Sequence, residues 1–196
     1  MVQTFPAFAF SVPAAVPVPD LDHTDFLVVM GANPYASNGS LCTAPGFPDR
    51  LEALRARGGK LVTIDPRRTK TAENSDQWIA IKPGTDAALM LALLHEMVAA
   101  NRHDAAFLQT CCTGFEELQS HLRGETDGQV KNAEWAAAIT GLSAEQIRQL
   151  AHALPARRSM LTVSWSLQRA RHGEQPFWAA IALAAAGGHI GLPGGG

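Results

Sequence analysis

Five apolar residues, Phe26 to Met30, run without a polar break between the acidic stretch 20–25 and Gly31. A run this short and this continuous predicts a strand covered on both faces, as in a parallel sheet, because an amphipathic helix would show polar positions at a 3.6-residue period. Residues 48–57 then place Leu51 and Leu54 among charges and stop at Gly58-Gly59, the pattern of an amphipathic helix with a glycine at its end. Lys60 to Ile64 predicts a second strand that ends at Asp65-Pro66. Strand, helix, strand is the βαβ unit of a parallel sheet. A third short strand is expected over Trp78 to Ile81, closed by Pro83-Gly84, after which Thr85 can cap a helix running from Asp86 through Leu89, Leu93, Leu94 and Met97.

The middle of the chain has helical patterning over 104–109, 115–122, 133–139 and 143–154. Ser143 and Gln146 have capping-box spacing, and Pro155 ends the last helix. Ser159 to Val163 predicts a fourth strand, and 176–186 a buried helix. The fold class is therefore α/β with a parallel, Rossmann-like sheet. Residues 1–20 form an extended, Pro-rich lead-in and 21–196 one α/β domain, without internal repeats or an interdomain linker.

Composition narrows the chemistry. In 196 residues, 46% apolar content with 16 basic and 18 acidic residues describes a globular chain near neutrality. Neither charge sign forms a long run, which argues against nucleic acid as a partner. Cys42, Cys111 and Cys112 suit neither a disulfide framework nor a metal cage and read as free thiols, while CxxC pairs and HExxH are missing from the sequence. No metal-ligating and no catalytic residue is assigned. The opening segment lacks basic residues before its apolar stretch, so it does not read as an export signal and a cytoplasmic location is expected, or a periplasmic one if a preceding region carries an export signal. No apolar run reaches the length of a membrane span.

Ligands of open parallel sheets gather at the carboxyl ends of strands. Gly31-Ala32-Asn33-Pro34, followed by Ser37-Asn38-Gly39-Ser40, offers close backbone approach and short polar groups for phosphate or sugar oxygens; it fits a plain strand-to-helix turn equally well. Asp65-Pro66-Arg67-Arg68 joins a carboxylate suited to ribose hydroxyls or a guanine edge to two guanidinium groups suited to phosphates. A solvated turn with paired arginines is the plain alternative. Gly84-Thr85-Asp86 stands at a helix amino terminus, where it can meet a base or ribose or act as an ordinary cap. The fourth strand runs into Trp165, Ser166, Gln168, Arg169 and His172, a mixture of stacking, amide and cationic groups suited to a flat polar heterocycle with phosphates, or else a buried Trp among solvated charges.

Gly31-Ala-Asn-Pro34, Ile64-Asp-Pro-Arg-Arg-Thr69, Lys82-Pro-Gly-Thr-Asp86 and Leu192-Pro-Gly-Gly-Gly196, in this order and spacing, resemble the molybdopterin oxidoreductases typified by dimethyl sulfoxide reductase. Val130 to Ala138, Gly141 to Ile147, and Trp165 through Pro176 resemble most the branch that reduces trimethylamine N-oxide, dimethyl sulfoxide or biotin sulfoxide. Ser37 to Ser40 and Ala44-Pro-Gly46 look closer to the dehydrogenase-like relatives.

The resemblance implies an internal fragment of a bacterial enzyme that holds molybdenum bis(molybdopterin guanine dinucleotide), with the metal-ligating region and C-terminal barrel lying elsewhere. It implies that Gly31, Ala32, Asn33, Pro34 and Ser37 approach the phosphates. It implies further that Asp65, Pro66, Arg67 and Arg68 meet the guanosine, and that Gly84, Thr85 and Asp86 meet the base or ribose. Trp165, Ser166, Gln168, Arg169 and His172 would lie near the pterin or the substrate funnel. The full-length enzyme is expected to act on an S-oxide or N-oxide with electrons from a donor protein, and the fragment alone to be inactive. A formate-dehydrogenase-like or nitrate-reductase-like relative, or a non-catalytic nucleotide-binding remnant, are the alternative readings.

Overall fold

The computed structural model describes residues 19–37 and 45–196. The expectations for the lead-in before Pro19, for Cys42, for Asn38 to Ser40 and for Ala44 lie outside the described residues. Within them the order is β1 (Phe26–Met30), α1 (Phe47–Ala56), β2 (Lys60–Ile64), α2 (Lys70–Glu73), β3 (Gln77–Ile79) and α3 (Asp86–Ala99). Then follow α4 (Ala105–Cys111), α5 (Phe115–Leu122), α6 (Ala133–Thr140), α7 (Ala144–Ala153), β4 (Ser159–Val163), a 3-10 turn (Trp165–Gln168) and α8 (Gln175–Gly187).

The four strands form one sheet in the order β3-β2-β1-β4, and every pairing is parallel. Phe26 lies opposite both Lys60 and Ser159, and Met30 opposite both Ile64 and Val163, so β1 is central and the strands end level. All five β1 residues are buried, because alternate side chains enter two separate cores. Phe26, Val28, Met30, Val62 and Ile64 join the larger core with Leu89 and Leu93 of α3 and Leu183 of α8. Leu27, Val29, Leu61 and Met160 pack on the other face against Phe47, Leu51 and Leu54 of α1. This double coverage is why β1 lacks the polar alternation of a half-exposed strand.

β4 is laid down beyond β1 rather than beyond β3, so the winding of the chain reverses between β1 and β4. Such reversal points open crevices at strand carboxyl ends.

Local signals account for most boundaries. Gly58 follows α1 with φ +80 and donates its amide to Arg55 O at 2.8 Å, the left-handed helix stop expected there. Ser143 and Gln146 form the reciprocal capping box at α7. Two expectations are corrected. β3 covers only Gln77–Ile79, because Lys82 N bonds to Thr140 O at 3.0 Å and draws the chain off the sheet towards α6. Thr85 stands at the α3 N-cap without capping through its side chain. Its φ of −110 and ψ of 13 are not the extended geometry that aims a hydroxyl at the first helical amides, and Oγ1 instead donates back to Lys82 O at 2.7 Å. The four-residue α2, capped by Thr69 accepting from Ala72 N, is too short to leave a periodic signal.

The terminal Gly-rich segment is fastened to the turn before β1. Thr24 Oγ1 donates to Gly194 O at 2.9 Å, and Gly194 N donates to Asp20 Oδ2 at 3.0 Å. Gly194 has φ +72, and a Cβ there would collide with the His23 backbone, so only glycine fits.

Candidate functional site

The polar residues singled out by sequence stand at one rim of the sheet, at the carboxyl ends of the strands. Their groups are committed to different degrees.

At the end of β1, Gly31 adopts φ +62, and a Cβ would run into Leu167 Cδ1 and lie 2.9 Å from Ser166 Oγ. Its close approach is to the protein's own 3-10 turn: Ser166 Oγ donates to Gly31 O at 2.9 Å and bridges the ends of β4 and β1 at the reversal point. Ala32 and Pro34 are buried, Ala32 within the smaller core. Asn33 Oδ1 accepts from Thr71 Oγ1 at 2.9 Å and Thr71 N at 3.2 Å, while Tyr35 N donates to the same Thr71 hydroxyl at 3.2 Å. The β1 loop is thereby tied to α2. Ser37 is exposed.

At the ends of β2 and β3 the arrangement is different. Asp65 is 3% exposed, and its Oδ1 accepts Arg67 N at 2.8 Å, closing the turn at Pro66. The Arg67 side chain is 82% exposed, with Nε 4.0 Å from Asp65 Oδ1, so solvent screens that pair. Arg68 lays its guanidinium over the Trp78 ring, 5.9 Å from the centroid, and Trp78 Nε1 donates to Asp65 O at 2.9 Å. Gly84 turns the chain with φ +75 and has open space where a side chain would stand. Asp86, in the first turn of α3, is 8% exposed, and its carboxylate has a hydrogen bond from its own backbone amide but no ion pair among the described residues. Burial pushes its carboxyl above the usual aspartate range; its own backbone amide opposes this, and the charge of Asp65 adds to it.

Two neighbouring buried carboxylates that lack a buried cation form a donor-seeking site. The complementary ligand presents several N–H or O–H groups, as the amidine edge of guanine or a ribose diol does. The exposed Arg67 and Arg68 beside them suit the phosphates of such a ligand. This set of carboxylate acceptors beside two guanidinium donors therefore fits a guanine nucleotide.

After β4, Trp165 is half-buried and tilted against Phe177 at 6.4 Å, so one side of its ring is already packed. Gln168 is half-buried, whereas Arg169 and His172 are exposed. His172 has φ +58 and lies 4.0 Å from Glu174, a weak pair at the surface. Gly173 is required because a Cβ would strike the Gln168 backbone, where the loop folds back on itself.

The structure thus brings Asp65, Arg67, Arg68 and Asp86 to one corner and Gly31, Asn33 and Ser166 to the reversal point. Sequence reasoning missed Trp78 and Thr71 as organisers of these loops. A tryptophan in so short an edge strand, with Arg68 nearby in sequence, was the available signal for the first; Thr71 left none. Cys111 and Cys112 are free, with burial raising the Cys112 thiol and Cys111 adding to it. No cluster of three or more metal-ligating side chains occurs among the described residues.

A parallel α/β chain with a carboxylate and guanidinium corner at its strand ends defines the class. Comparison with known proteins specifies it further: residues 6–196 match the molybdopterin oxidoreductase model, and the chain belongs to that family. It is 48% identical over 179 residues to a biotin sulfoxide reductase of Cereibacter sphaeroides, covering 89% of this chain and 24% of that protein. It is 42% identical over 179 residues to a dimethyl sulfoxide/trimethylamine N-oxide reductase of Rhodobacter capsulatus, with 89% and 22% covered. Among solved structures, acetylene hydratase from Pelobacter acetylenicus superposes with a TM-score of 0.75 at 28% identity, covering 91% of this chain and 23% of that one. The chain spans about a quarter of the length of the curated relatives it matches.

Proposed function

We propose that this chain is a Rossmann-like cradle for one molybdopterin guanine dinucleotide, within a molybdenum-dependent enzyme that reduces S-oxides or N-oxides. The buried Asp86 carboxylate, beside Asp65, carries the reading, because an apolar or anionic ligand would leave it without a counter-charge at that corner. They would hold the guanosine, with Arg67 and Arg68 towards the phosphates. The loop from Gly31 to Ser37 would follow the dinucleotide past the reversal point, and Gln168, Arg169 and His172 would face the pterin. When bound, the molybdenum cofactor supplies oxygen-atom transfer coupled to two electrons from a donor. The chain's own task is to bind, orient and tune it.

The names of the relatives at 48% and 42% identity support the reductase assignment over the hydratase at 28%. The cradle is tested by titrating the purified chain with GDP and ADP. GDP is expected to bind the more tightly, and equal or absent binding of both refutes the cradle. The substrate class is tested in the full-length enzyme by reduction of biotin sulfoxide, dimethyl sulfoxide and trimethylamine N-oxide. Turnover of none of the three rejects it.

A further inference from the structure

Asp65 is held to β3 through its main chain. Its amide donates to Ile79 O at 3.2 Å, and its carbonyl accepts Trp78 Nε1 at 2.9 Å. Pro66 restricts Asp65 further, because a residue before proline is kept out of the helical region. With Oδ1 accepting Arg67 N, Oδ2 is the carboxylate oxygen without a partner among the described residues. Arg68 is anchored in another way. Its guanidinium has no ion pair or hydrogen bond among the described residues, and the contact that orients it is the Trp78 ring, whose centroid lies 5.9 Å from Cζ. One side chain thus touches both halves of the corner. Trp78 stands in the edge strand β3, opposite Thr63, and is 36% exposed. A leucine or isoleucine could cover the sheet there, but neither offers a π face for a cation or an N–H for a carbonyl.

We propose that Trp78 is a positioning residue of the nucleotide corner: its N–H fixes the peptide that presents the Asp65 carboxylate, and its ring holds the Arg68 guanidinium beside it. This rests on the guanine-nucleotide reading of the corner and adds to it two separate roles for one side chain. Arginine carries much rotamer freedom, and a guanidinium already resting on a ring gives up less of it when a phosphate binds. A carboxylate whose backbone is fixed on both sides likewise needs little reordering to meet a donor. The two roles act on different parts of the ligand, Asp65 on the guanosine and Arg68 on the phosphates. They can therefore be told apart with two ligands.

The purified chain is titrated with guanosine and with GDP. The parent should bind GDP about tenfold more tightly than guanosine, through charge-assisted bonds to phosphate. Trp78→Phe keeps a ring and deletes the N–H, so both ligands should weaken about threefold and their affinity ratio should stay as in the parent. Trp78→Leu deletes both features. It should also lower the ratio about threefold and flatten the salt dependence of GDP binding. In an Arg68→Ala background Trp78→Leu should leave the ratio unaltered, because the cation it orients is gone. A purely structural tryptophan would weaken both ligands alike and leave the ratio unmoved in every variant. The proposal is overturned if Trp78→Leu retains the parental ratio, if Trp78→Phe shifts it, or if Trp78→Phe binds guanosine as the parent does. Trp78→Thr, suited to an edge strand, replaces Trp78→Leu should that variant not fold, and failure of both to fold makes the residue structural and overturns the proposal. A parent that binds neither ligand, or GDP no better than ADP, rejects the nucleotide corner itself; a parent that prefers GDP while the Trp78 variants match it rejects the positioning role alone.

Discussion

The carboxyl ends of β1 and β4 and those of β2 and β3 carry equally polar sequences, yet they spend that polarity differently. At β1 and β4 the groups bind one another: Ser166 donates to Gly31 O, and Thr71 donates to Asn33 Oδ1. At β2 and β3, Asp86 stands buried without a counter-ion, and Arg67 projects into solvent. The first corner holds the loops in shape. The second holds a buried carboxylate without a counter-ion, and such groups are concentrated where a ligand meets them.

Substitutions at the two corners should therefore separate stability from binding. The largest effect is expected for Gly31→Val, which forces a β-branched residue into φ +62 and drives its side chain into Leu167. Strain and overpacking together should cost about 3 kcal/mol, read as a lowered urea midpoint. A change below about 1 kcal/mol would show that the turn is free to move aside. Asp86→Asn should reverse this profile. It removes hydrogen bonds to a charged group and should weaken GDP binding by about 10- to 100-fold, while the unliganded chain keeps or gains stability. Loss of stability without loss of affinity would place Asp86 among the structural residues.

Acidity provides an independent reading of the same carboxylate. Because the folded-state pKa of Asp86 is raised, the folded protein holds that proton more tightly than the unfolded chain does. Stability of the unliganded protein should fall as pH rises from the ordinary aspartate range through the raised value. GDP affinity should climb over the same window, as the ionised carboxylate becomes the better acceptor. Denaturant midpoints measured against pH should show this limb in the parent chain and lose it in Asp86→Asn; an unchanged limb would assign it to another group.

Asn33→Ala breaks the tie between the β1 loop and α2 and leaves Thr71, buried, without its acceptor. A loss of about 1–2 kcal/mol in stability is expected, with a smaller fractional loss of GDP affinity than in Asp86→Asn. The smallest effect belongs to Arg68→Ala. Its guanidinium rests on the exposed face of Trp78, so stability should change by no more than about 0.5 kcal/mol. GDP affinity should drop severalfold and become less sensitive to salt; a salt dependence equal to that of the parent would remove Arg68 from the phosphate contacts.

Much of this protein was decided locally and could be read from sequence. β1 is a continuous apolar run, and β2 and β4 are apolar runs that open on a polar residue and carry one threonine, all with punctuation at both ends, which a parallel sheet buried on both faces accommodates. The capping box at Ser143, the glycine stop after α1 and the order of motifs along the strand ends are likewise properties of a few adjacent residues. The tertiary structure alone decided which of the polar groups at those ends are free. Ser166 and Gly31 are 135 positions apart, Asn33 and Thr71 are 38 apart, and no local pattern announces that they meet. It also decided that the glycines near the end of the chain serve packing. The reason is the same in each case: a residue's type sets what it can donate or accept, but whether that capacity is spent depends on neighbours brought in from distant sequence.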